Sequence, residues 1–188
     1  MKTALIFGAT GGIGSATVNQ FNHSYSVVGV TRDQLNLRSD SIGEAIGSLL
    51  KQVDPDLVIN CAGVLEGDFA EIFAVNVASC WHIIQYYLQQ TEMPKPVTIL
   101  LVGSTAYSGG RRNYPLYSAS KAALHNLVQG CQEAIGNRAI TLSLLHPARV
   151  QTRMSECLPK TGNELTAAQV ASELLSMSTQ PSQIKELR

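Results

Sequence analysis

The chain has 188 residues, a length that suits one domain with a sizeable hydrophobic core. Hydrophobic residues make up 45% of it and charged residues 15%, which excludes disordered and collagen-like proteins. Lys plus Arg number 14, as do Asp plus Glu, so the chain has no basic excess for nucleic acid and no acidic tail. We therefore expect its partners to be small molecules or other protein chains, not nucleic acid.

Short apolar runs alternate with longer helical segments along the chain. Strands are predicted at residues 3–7, 26–30, 57–60, 97–102 and 141–146. Helices are predicted at residues 12–21, 41–51, 69–90, 115–135 and 166–177. Continuous apolar strands separated by helices are typical of a parallel sheet. The pattern predicts an α/β fold with a doubly wound parallel sheet, a three-layer α/β/α sandwich that forms a single domain over residues 1–188.

A glycine-rich turn follows the first predicted strand and opens a helix. It reads Gly8-Ala9-Thr10-Gly11-Gly12-Ile13-Gly14. At such a turn, backbone amides and the helix N-terminus approach a pyrophosphate. Any tight turn between a strand and a helix also favours glycine, but the position after the first strand favours dinucleotide binding.

Tyr117 and Lys121 lie one helical turn apart, so both side chains leave the same face of a predicted helix. An ammonium group near a phenol stabilises the phenolate and makes tyrosine a stronger acid, as the reduction of a carbonyl requires of its general acid. In isolation the pair also fits an ordinary amphipathic helix face. The other motifs of the chain favour the catalytic interpretation.

The cysteines and histidines do not predict a metal site. Cys61, Cys80, Cys131 and Cys157 are too widely spaced for a Cys-x-x-Cys motif, and the histidines form no His-Glu-x-x-His pattern. We interpret the cysteines as small buried hydrophobic residues in a reducing compartment. The apolar run at residues 4–7 is too short for a signal-peptide core, and no run is long enough to span a membrane. We therefore expect a cytoplasmic protein without membrane contact.

Five motifs together resemble the short-chain dehydrogenase/reductase family. They are the glycine turn, Asn60-Cys61-Ala62-Gly63, Asn76, Ser104, and Tyr117 with Lys121, and they follow the family's order across nearly the whole chain. Among these enzymes the chain looks most like the single-domain NADP-dependent carbonyl reductases. The resemblance implies a Rossmann-like fold, hydride transfer between NADP(H) and a small-molecule carbonyl or alcohol, and a homodimer or homotetramer.

The resemblance also assigns catalytic roles. It gives Tyr117 the proton, Ser104 the hydrogen bond that holds and polarises the substrate carbonyl, and Lys121 the nicotinamide ribose hydroxyls. Asn76 would hold the water that links Lys121 to solvent. In the alternative interpretation, Ser104 only caps a loop at a strand end and Asn76 is a helix residue bonded to backbone.

The end of the second predicted strand bears on the choice of cofactor. An acidic residue there would accept from the ribose 2′-hydroxyl and repel a 2′-phosphate, whereas this chain has Thr31 and Arg32. We therefore predict NADP rather than NAD, although Asp33 could neutralise Arg32, and Arg32 could also be a solvated loop charge. The predicted cofactor-binding residues are Gly8, Thr10, Gly11, Gly12, Ile13, Gly14, Thr31, Arg32, Asn36, Leu37, Asn60, Ala62, Gly63, Tyr117, Lys121, Pro147, Val150 and Thr152.

The chain departs from the family at several points. Ala148 replaces the usual Gly after Pro147, which is tolerable only if its φ is negative. The chain ends soon after the last predicted helix, where the family adds a further strand. Either the protein is a trimmed member of the family or residues are missing from the sequence. If the strand is absent, the preceding strand is expected to be an exposed edge. Residues 153–165, which include Pro159 and Gly162, are interpreted as a mobile lid.

A second class of function stays open. The same fold could sense NADP(H) in a regulatory or signalling protein with vestigial catalysis, because fold alone does not determine function. The intact set of Ser104, Tyr117 and Lys121 favours an enzyme.

Overall fold

A computed structural model describes residues 1–156, 158 and 162–188 of the chain. In these residues six parallel strands form one sheet: β1 (Thr3–Phe7), β2 (Ser26–Val30), β3 (Leu57–Asn60), β4 (Val97–Val102), β5 (Ile140–Pro147) and β6 (Ile184–Leu187). The α-helices are α1 (Gly12–Phe21), α2 (Ile42–Val53), α3 (Phe69–Phe73), α4 (Ser79–Leu88), α5 (Pro115–Ile135) and α6 (Ala167–Met177). A π-helical turn occupies Ala74–Ala78, and 3₁₀ turns occupy Thr105–Ser108 and Arg153–Ser155.

Successive side chains of a strand point to opposite faces of the sheet, and each face has its own hydrophobic core. In β1, Leu5 packs in one core with residues of α2, α4 and α5, and Ile6 packs in the other core with residues of α1 and α6. Because both faces are covered by helices, strands buried on both sides read as continuous apolar runs. The predicted doubly wound three-layer sandwich is confirmed.

The expectation that the chain stops before a final strand is wrong. Residues Ile184–Leu187 pair in parallel with the second half of β5, with Leu144 opposite Ile184 and Pro147 opposite Leu187. The sequence of β6 is only four residues long and alternates apolar with charged residues, so it lacks the apolar run that identifies the interior strands. As a result β5 is an interior strand.

One helix prediction also differs from the structure. Residues 69–90 were predicted as one helix, but the π-helical turn separates α3 from α4 around Asn76. A π-helical turn adds a residue to the helix without changing the apolar pattern enough to show in the sequence, and such turns are frequent at functional sites. At the start of α5, Pro115 occupies the first turn, where its missing N–H has no cost.

The sheet order places a crevice at the carboxyl end of β1. The order is β2-β1-β3-β4-β5-β6, so β1 has β2 on one side and β3 on the other, and the chain connections leave in opposite directions. Ligands of doubly wound sheets bind outside the carboxyl ends of the strands at such a point. Over the described residues, no helix combines the length and the apolar composition needed to cross a bilayer.

The predicted lid begins with the 3₁₀ turn at Arg153–Ser155, and its base is closed by an isolated parallel bridge between Val150 and Leu165. Cys157 and Pro159, which the sequence analysis singled out, lie outside the described residues. Ala148 does not have a positive φ, which satisfies the condition for replacing Gly there.

Candidate active site

A cleft of about 310 Å³ opens at the carboxyl end of β1. Most of the predicted cofactor-binding residues line it: Gly8, Thr10, Gly11, Gly12, Ile13, Thr31, Arg32, Asn36, Leu37, Ala62, Gly63 and Thr152. Gly14, Asn60, Pro147 and Val150 do not line it, and neither do Tyr117 and Lys121. The structure therefore brings the glycine turn together with the loops that follow β2 and β3.

The glycine turn is shaped by close backbone approach. Gly8 has a φ of 73°, and a Cβ added there would lie 2.8 Å from the amide nitrogen of Ala62. A Cβ on Gly14 would lie 2.0 Å from the carbonyl oxygen of Gly8, so only glycine lets α1 start so close to β1. Gly11 precedes α1 without a side-chain cap, and no acidic residue occupies the first turn. The first amides of α1 are thus available to an anion.

Asn60 fixes the loop after β3 through side-chain hydrogen bonds. Its Oδ1 accepts from the amide of Ala62 at 3.0 Å, and its Nδ2 donates to Ser79 Oγ at 3.1 Å. Asn60 is 1% exposed, which explains why the side chain itself does not reach the cleft. The structure shows it holding the turn that carries Ala62 and Gly63.

Asn76 lies in the π-helical turn and holds the next residues of the same loop. Its Oδ1 accepts from Val64 N–H and its Nδ2 donates to Val64 C=O, both at 2.9 Å. Nδ2 also donates to Ser120 Oγ at 3.0 Å, which joins this loop to α5. Asn76 is therefore bonded to backbone, as the alternative interpretation has it, and the bridging water stays a prediction.

Lys121 is a buried cation with free hydrogen-bonding capacity. It is 3% exposed, and its Nζ donates to the carbonyl of Val102, at the end of β4, at 3.1 Å. An ammonium group has three donors, and among the described residues the other two have no acceptor. Buried donors normally have hydrogen-bond acceptors, so the two remaining N–H groups of Lys121 are suited to bind oxygen atoms of a ligand.

Tyr117 lies beside Lys121 as the sequence spacing predicts. The Lys121 Nζ lies 5.7 Å from the centroid of the Tyr117 ring. Within the described part of the chain, the Tyr117 hydroxyl makes no hydrogen bond, so it is available to a ligand. A Cβ on Gly63 would lie 3.7 Å from Lys121 Nζ and 3.5 Å from Asn76 Oδ1, so Lys121 adjoins the cleft-lining loop after β3.

Ser104 follows β4 and caps the 3₁₀ turn at Thr105–Ser108. Its Oγ accepts from the amide of Ala106 at 3.2 Å, which orients the hydroxyl and leaves its own proton free to be donated. Ser104 thus caps a loop, as the alternative interpretation has it, and still presents a donor.

Three aromatic residues next to Ser104 were missed by the sequence analysis. His146 Nδ1 lies 3.1 Å from Ser104 N and 3.0 Å from Ser104 O, and His146 Nε2 lies 3.0 Å from His125 Nδ1. The Tyr107 ring stacks on both imidazoles, with centroids 4.0 Å from His146 and 4.3 Å from His125. Burial, followed by the charge of His125, lowers the pKa of His146 to about 4. The signal in the sequence was a histidine placed at the end of an apolar strand, directly before Pro147.

Further cleft residues outside the predicted set are mostly apolar, with two cations among them. They are Phe7, Val30, Leu35, Arg38, Cys61, Val64, Val75, Arg153 and Met154. Burial raises the pKa of the Cys61 thiol to about 12, so it is an unreactive lining group. Among the described residues, no group of three His, Cys, Asp or Glu side chains is placed to hold a metal ion.

Comparison with known proteins shows the family. Residues 36–162, more than half of the chain, match the family model described as short chain dehydrogenase. The chain is 24% identical over 187 residues to the 3-oxoacyl-(acyl-carrier-protein) reductase FabG of Haemophilus influenzae, covering 84% of this chain and 77% of that protein. It is 28% identical over 181 residues to the cyclic-di-GMP-binding biofilm dispersal mediator protein of Escherichia coli, covering 80% and 74%.

Solved structures agree on the fold. The crystal structure of the 3-alpha-hydroxysteroid dehydrogenase from Pseudomonas sp. B-0831 complexed with NADH superposes with a TM-score of 0.85 at 17% identity, covering 98% of this chain and 94% of that one. The family match, together with this shared fold, leads to one conclusion. The chain belongs to the short-chain dehydrogenase/reductase family of oxidoreductases.

Proposed function

We propose that this protein is an NADP-dependent carbonyl reductase that transfers a hydride between NADP(H) and a small-molecule carbonyl or alcohol. The observation that carries the proposal is Lys121, a buried ammonium 5.7 Å from the Tyr117 ring, with two donors that have no acceptor among the described residues. A buried ammonium group with unpaired donors is costly, because its lost hydration is only partly replaced. The arrangement suits a site whose remaining partners arrive with the cofactor and substrate.

The cleft and the adjoining Lys121 suit a nicotinamide dinucleotide in two places. The amides at the start of α1 have no side-chain cap and suit the pyrophosphate. Glycine at position 12 keeps the space in front of them open, since a Cβ there would lie 2.5 Å from Thr152 Cγ2. The free donors of Lys121 suit the hydroxyls of the nicotinamide ribose. When bound, the cofactor supplies the hydride.

The residues of this chain supply the proton and the charge stabilisation. The Ser104 hydroxyl, oriented by Ala106 N–H, donates to the substrate carbonyl oxygen and polarises the bond. Tyr117 transfers its phenolic proton to the same oxygen as the alkoxide develops, and the Lys121 ammonium favours the phenolate that results. Oxidation of an alcohol runs the same proton path in reverse.

The charges around the cleft support NADP over NAD. Arg32, Arg38 and Arg153 line it, and within the described residues no carboxylate does, including Asp33. Arg38 is itself held by Glu71 at 2.9 Å, and Arg153 directly follows Thr152, which lies against Gly12 at the start of α1. We therefore assign the 2′-phosphate to Arg32, which follows the end of β2. Asn36 and Leu37, which also line the cleft, are proposed to contact the adenine.

Replacing Tyr117 with Phe tests the catalytic proposal. Ethyl acetoacetate is used as the carbonyl probe, and NADPH oxidation is followed by absorbance. The Tyr117→Phe variant should lose about 100-fold or more in kcat, because it removes the general acid, while NADPH affinity stays the same. Tyr25→Phe is the matched control and should keep full activity, because the Tyr25 ring packs against Phe21 and does not line the cleft. Full activity in Tyr117→Phe would refute the assignment.

A second candidate is a nucleotide-sensing regulatory protein with vestigial catalysis. It is favoured by the similarity to the biofilm dispersal mediator protein, whose name describes binding of cyclic di-GMP. Titrating the chain with cyclic di-GMP separates the two candidates. A regulator should bind it saturably and be indifferent to Tyr117→Phe, whereas the reductase should be inactivated by that change.

We also propose that the protein acts in the cytoplasm as a homodimer or homotetramer. The three described cysteines, Cys61, Cys80 and Cys131, are free thiols, which suits a reducing compartment. Phe69 is 62% exposed and stacks on Phe73 at 4.4 Å, an apolar surface of the kind that subunits cover. Light scattering on the purified chain gives the mass directly, and a monomer would refute the assembly.

A further inference from the structure

The backbone of Ser104 is contacted by a buried histidine, His146. His146 is 0% exposed and lies at the end of β5, so its ring meets the backbone of Ser104 across the sheet. Its Nδ1 is within hydrogen-bond distance of both Ser104 N and Ser104 O, at 3.1 and 3.0 Å. Gly103 makes this approach possible, because a Cβ there would lie 2.3 Å from His146 Nδ1.

The hydrogen-bond partners select one tautomer of His146. The Ser104 carbonyl already accepts from Tyr107 N–H at 3.1 Å, whereas His146 Nδ1 is the acceptor for the Ser104 amide within the described residues. An Nδ1 that accepts satisfies both backbone groups, while an Nδ1 that donates would orphan the amide. The proton of neutral His146 is then on Nε2, and it is donated to His125 Nδ1 at 3.0 Å.

The same cluster extends to the last strand. Tyr107 covers both imidazoles with its ring, and its hydroxyl donates to Glu186 Oε1 of β6 at 2.9 Å. The ring of His146 is thus fixed on three sides: by Ser104, by His125 and by Tyr107. A ring held by this many contacts can fix the orientation of the Ser104 backbone that it contacts.

We propose that His146 is a positioning residue that sets the orientation of the Ser104 hydroxyl toward the substrate carbonyl. The inference rests on the proposed function, because it gives His146 a role only through Ser104. The 3₁₀ turn begins at Ser104, and its Oγ is held by Ala106 N–H, so a rotation of the Ser104 amide moves the hydroxyl with it. His125 and Tyr107 keep His146 in the accepting tautomer and in place.

The test compares His146→Ala with His146→Asn. The Asn side chain places an acceptor oxygen close to the position of Nδ1, so it should restore the bond to Ser104 N–H without the ring. With ethyl acetoacetate and NADPH, His146→Ala should lower kcat by about 100-fold, as small misplacements of catalytic groups do, with NADPH affinity unchanged within about twofold. His146→Asn should recover most of the loss.

A second measurement needs no turnover and covers the case in which His146→Ala is poorly folded. Hydrogen exchange of the Ser104 amide should be slow in the wild-type protein and in His146→Asn, and at least about 10-fold faster in His146→Ala. Gly103→Ala should show the same increase, because its Cβ displaces the His146 ring without removing it. Equal exchange in the wild type and in Gly103→Ala would overturn the proposal.

Ser104→Ala separates this proposal from the proposed function. If Ser104→Ala is inactive and His146→Ala keeps full kcat, the positioning role is refuted and the reductase stands. If Ser104→Ala keeps full kcat, Ser104 has no catalytic role and both fail. If both variants lose activity and His146→Asn restores it, the positioning role is supported.

Discussion

At the scale of single residues, protonation of buried His146 opposes folding. Burial lowers its pKa from 6.5 to about 4, so the unfolded chain takes up a proton at a higher pH than the folded protein. The stability contributed by neutral His146 is therefore fully present above about pH 6.5 and is lost as the pH falls toward 4. The shift corresponds to about 3 kcal/mol over that window.

Urea unfolding at pH 7.5 and pH 4.5 tests this expectation. His146→Asn removes the titrating group, so its unfolding free energy should fall by less between the two pH values than that of the wild type. His23→Asn, which changes an exposed histidine, should behave like the wild type. A profile for His146→Asn that matches the wild type would contradict the account.

The sequence predicted individual residues well where spacing alone determines their geometry. Tyr117 and Lys121 share a helix face because they are four residues apart, and the structure places them side by side. The contact between His146 and Ser104 joins residues 42 positions apart through the register of β4 and β5, which no local pattern encodes. The engagement of Asn76 with Val64 depends in the same way on a loop conformation.

At the scale of secondary-structure elements, the π-helical turn at Ala74–Ala78 connects the loop after β3 to α5. Asn76 makes three side-chain hydrogen bonds there, two to Val64 and one to Ser120. Asn76→Ala leaves these buried groups unsatisfied, and we expect it to lower the unfolding free energy by about 1–3 kcal/mol. NADPH affinity should fall as well, because Gly63 and Val64 line the cleft.

Asn126→Ala is the control, since Asn126 is exposed on α5. Its unfolding free energy should stay within about 0.5 kcal/mol of the wild type, as expected for a surface change. If Asn76→Ala also left the unfolding free energy within about 0.5 kcal/mol of the wild type, the π-helical turn would not stabilise the loop after β3.

Strands with an apolar run could be predicted from the sequence, and the edge strand without one could not. β1, β3 and β4 match the predicted ranges because burial on both faces demands apolar residues at nearly every position. β2 lies at one edge of the sheet and also matches, because its Val residues still form an apolar run. β6 is half-buried along its whole length and contains Lys185 and Glu186, so its identity as a strand depends on pairing with β5. The interruption of residues 69–90 is invisible for a related reason, since apolar residues continue through it.

At the scale of the whole molecule, β6 completes the sheet and ties it to the site through Glu186 and Tyr107. Deleting residues 181–188 should expose the β5 edge and remove the hydroxyl partner of Tyr107. We expect aggregation in light scattering and a lower unfolding temperature, because an unpaired apolar edge strand associates with other chains. Arg188→Ala should leave both properties unchanged, and a well-behaved, equally stable truncated chain would contradict this role of β6.

The overall architecture was accessible from the sequence because alternation of apolar strands and helices restricts the topology to few choices. The crevice at the carboxyl end of β1 follows from that topology, and the glycine turn lies in it as expected. The substrate is not encoded in the same way, since its contacts come from loops whose conformations depend on packing and ligands.

The most direct test of the central claim is a fluorescence titration of the wild-type chain with NADPH and, in parallel, with NADH. We expect saturable binding of both at one site, with NADPH bound at least about tenfold more tightly because Arg32 meets the 2′-phosphate. Tighter binding of NADH would contradict the assignment of Arg32. Binding of neither would contradict the claim that this cleft holds a nicotinamide cofactor.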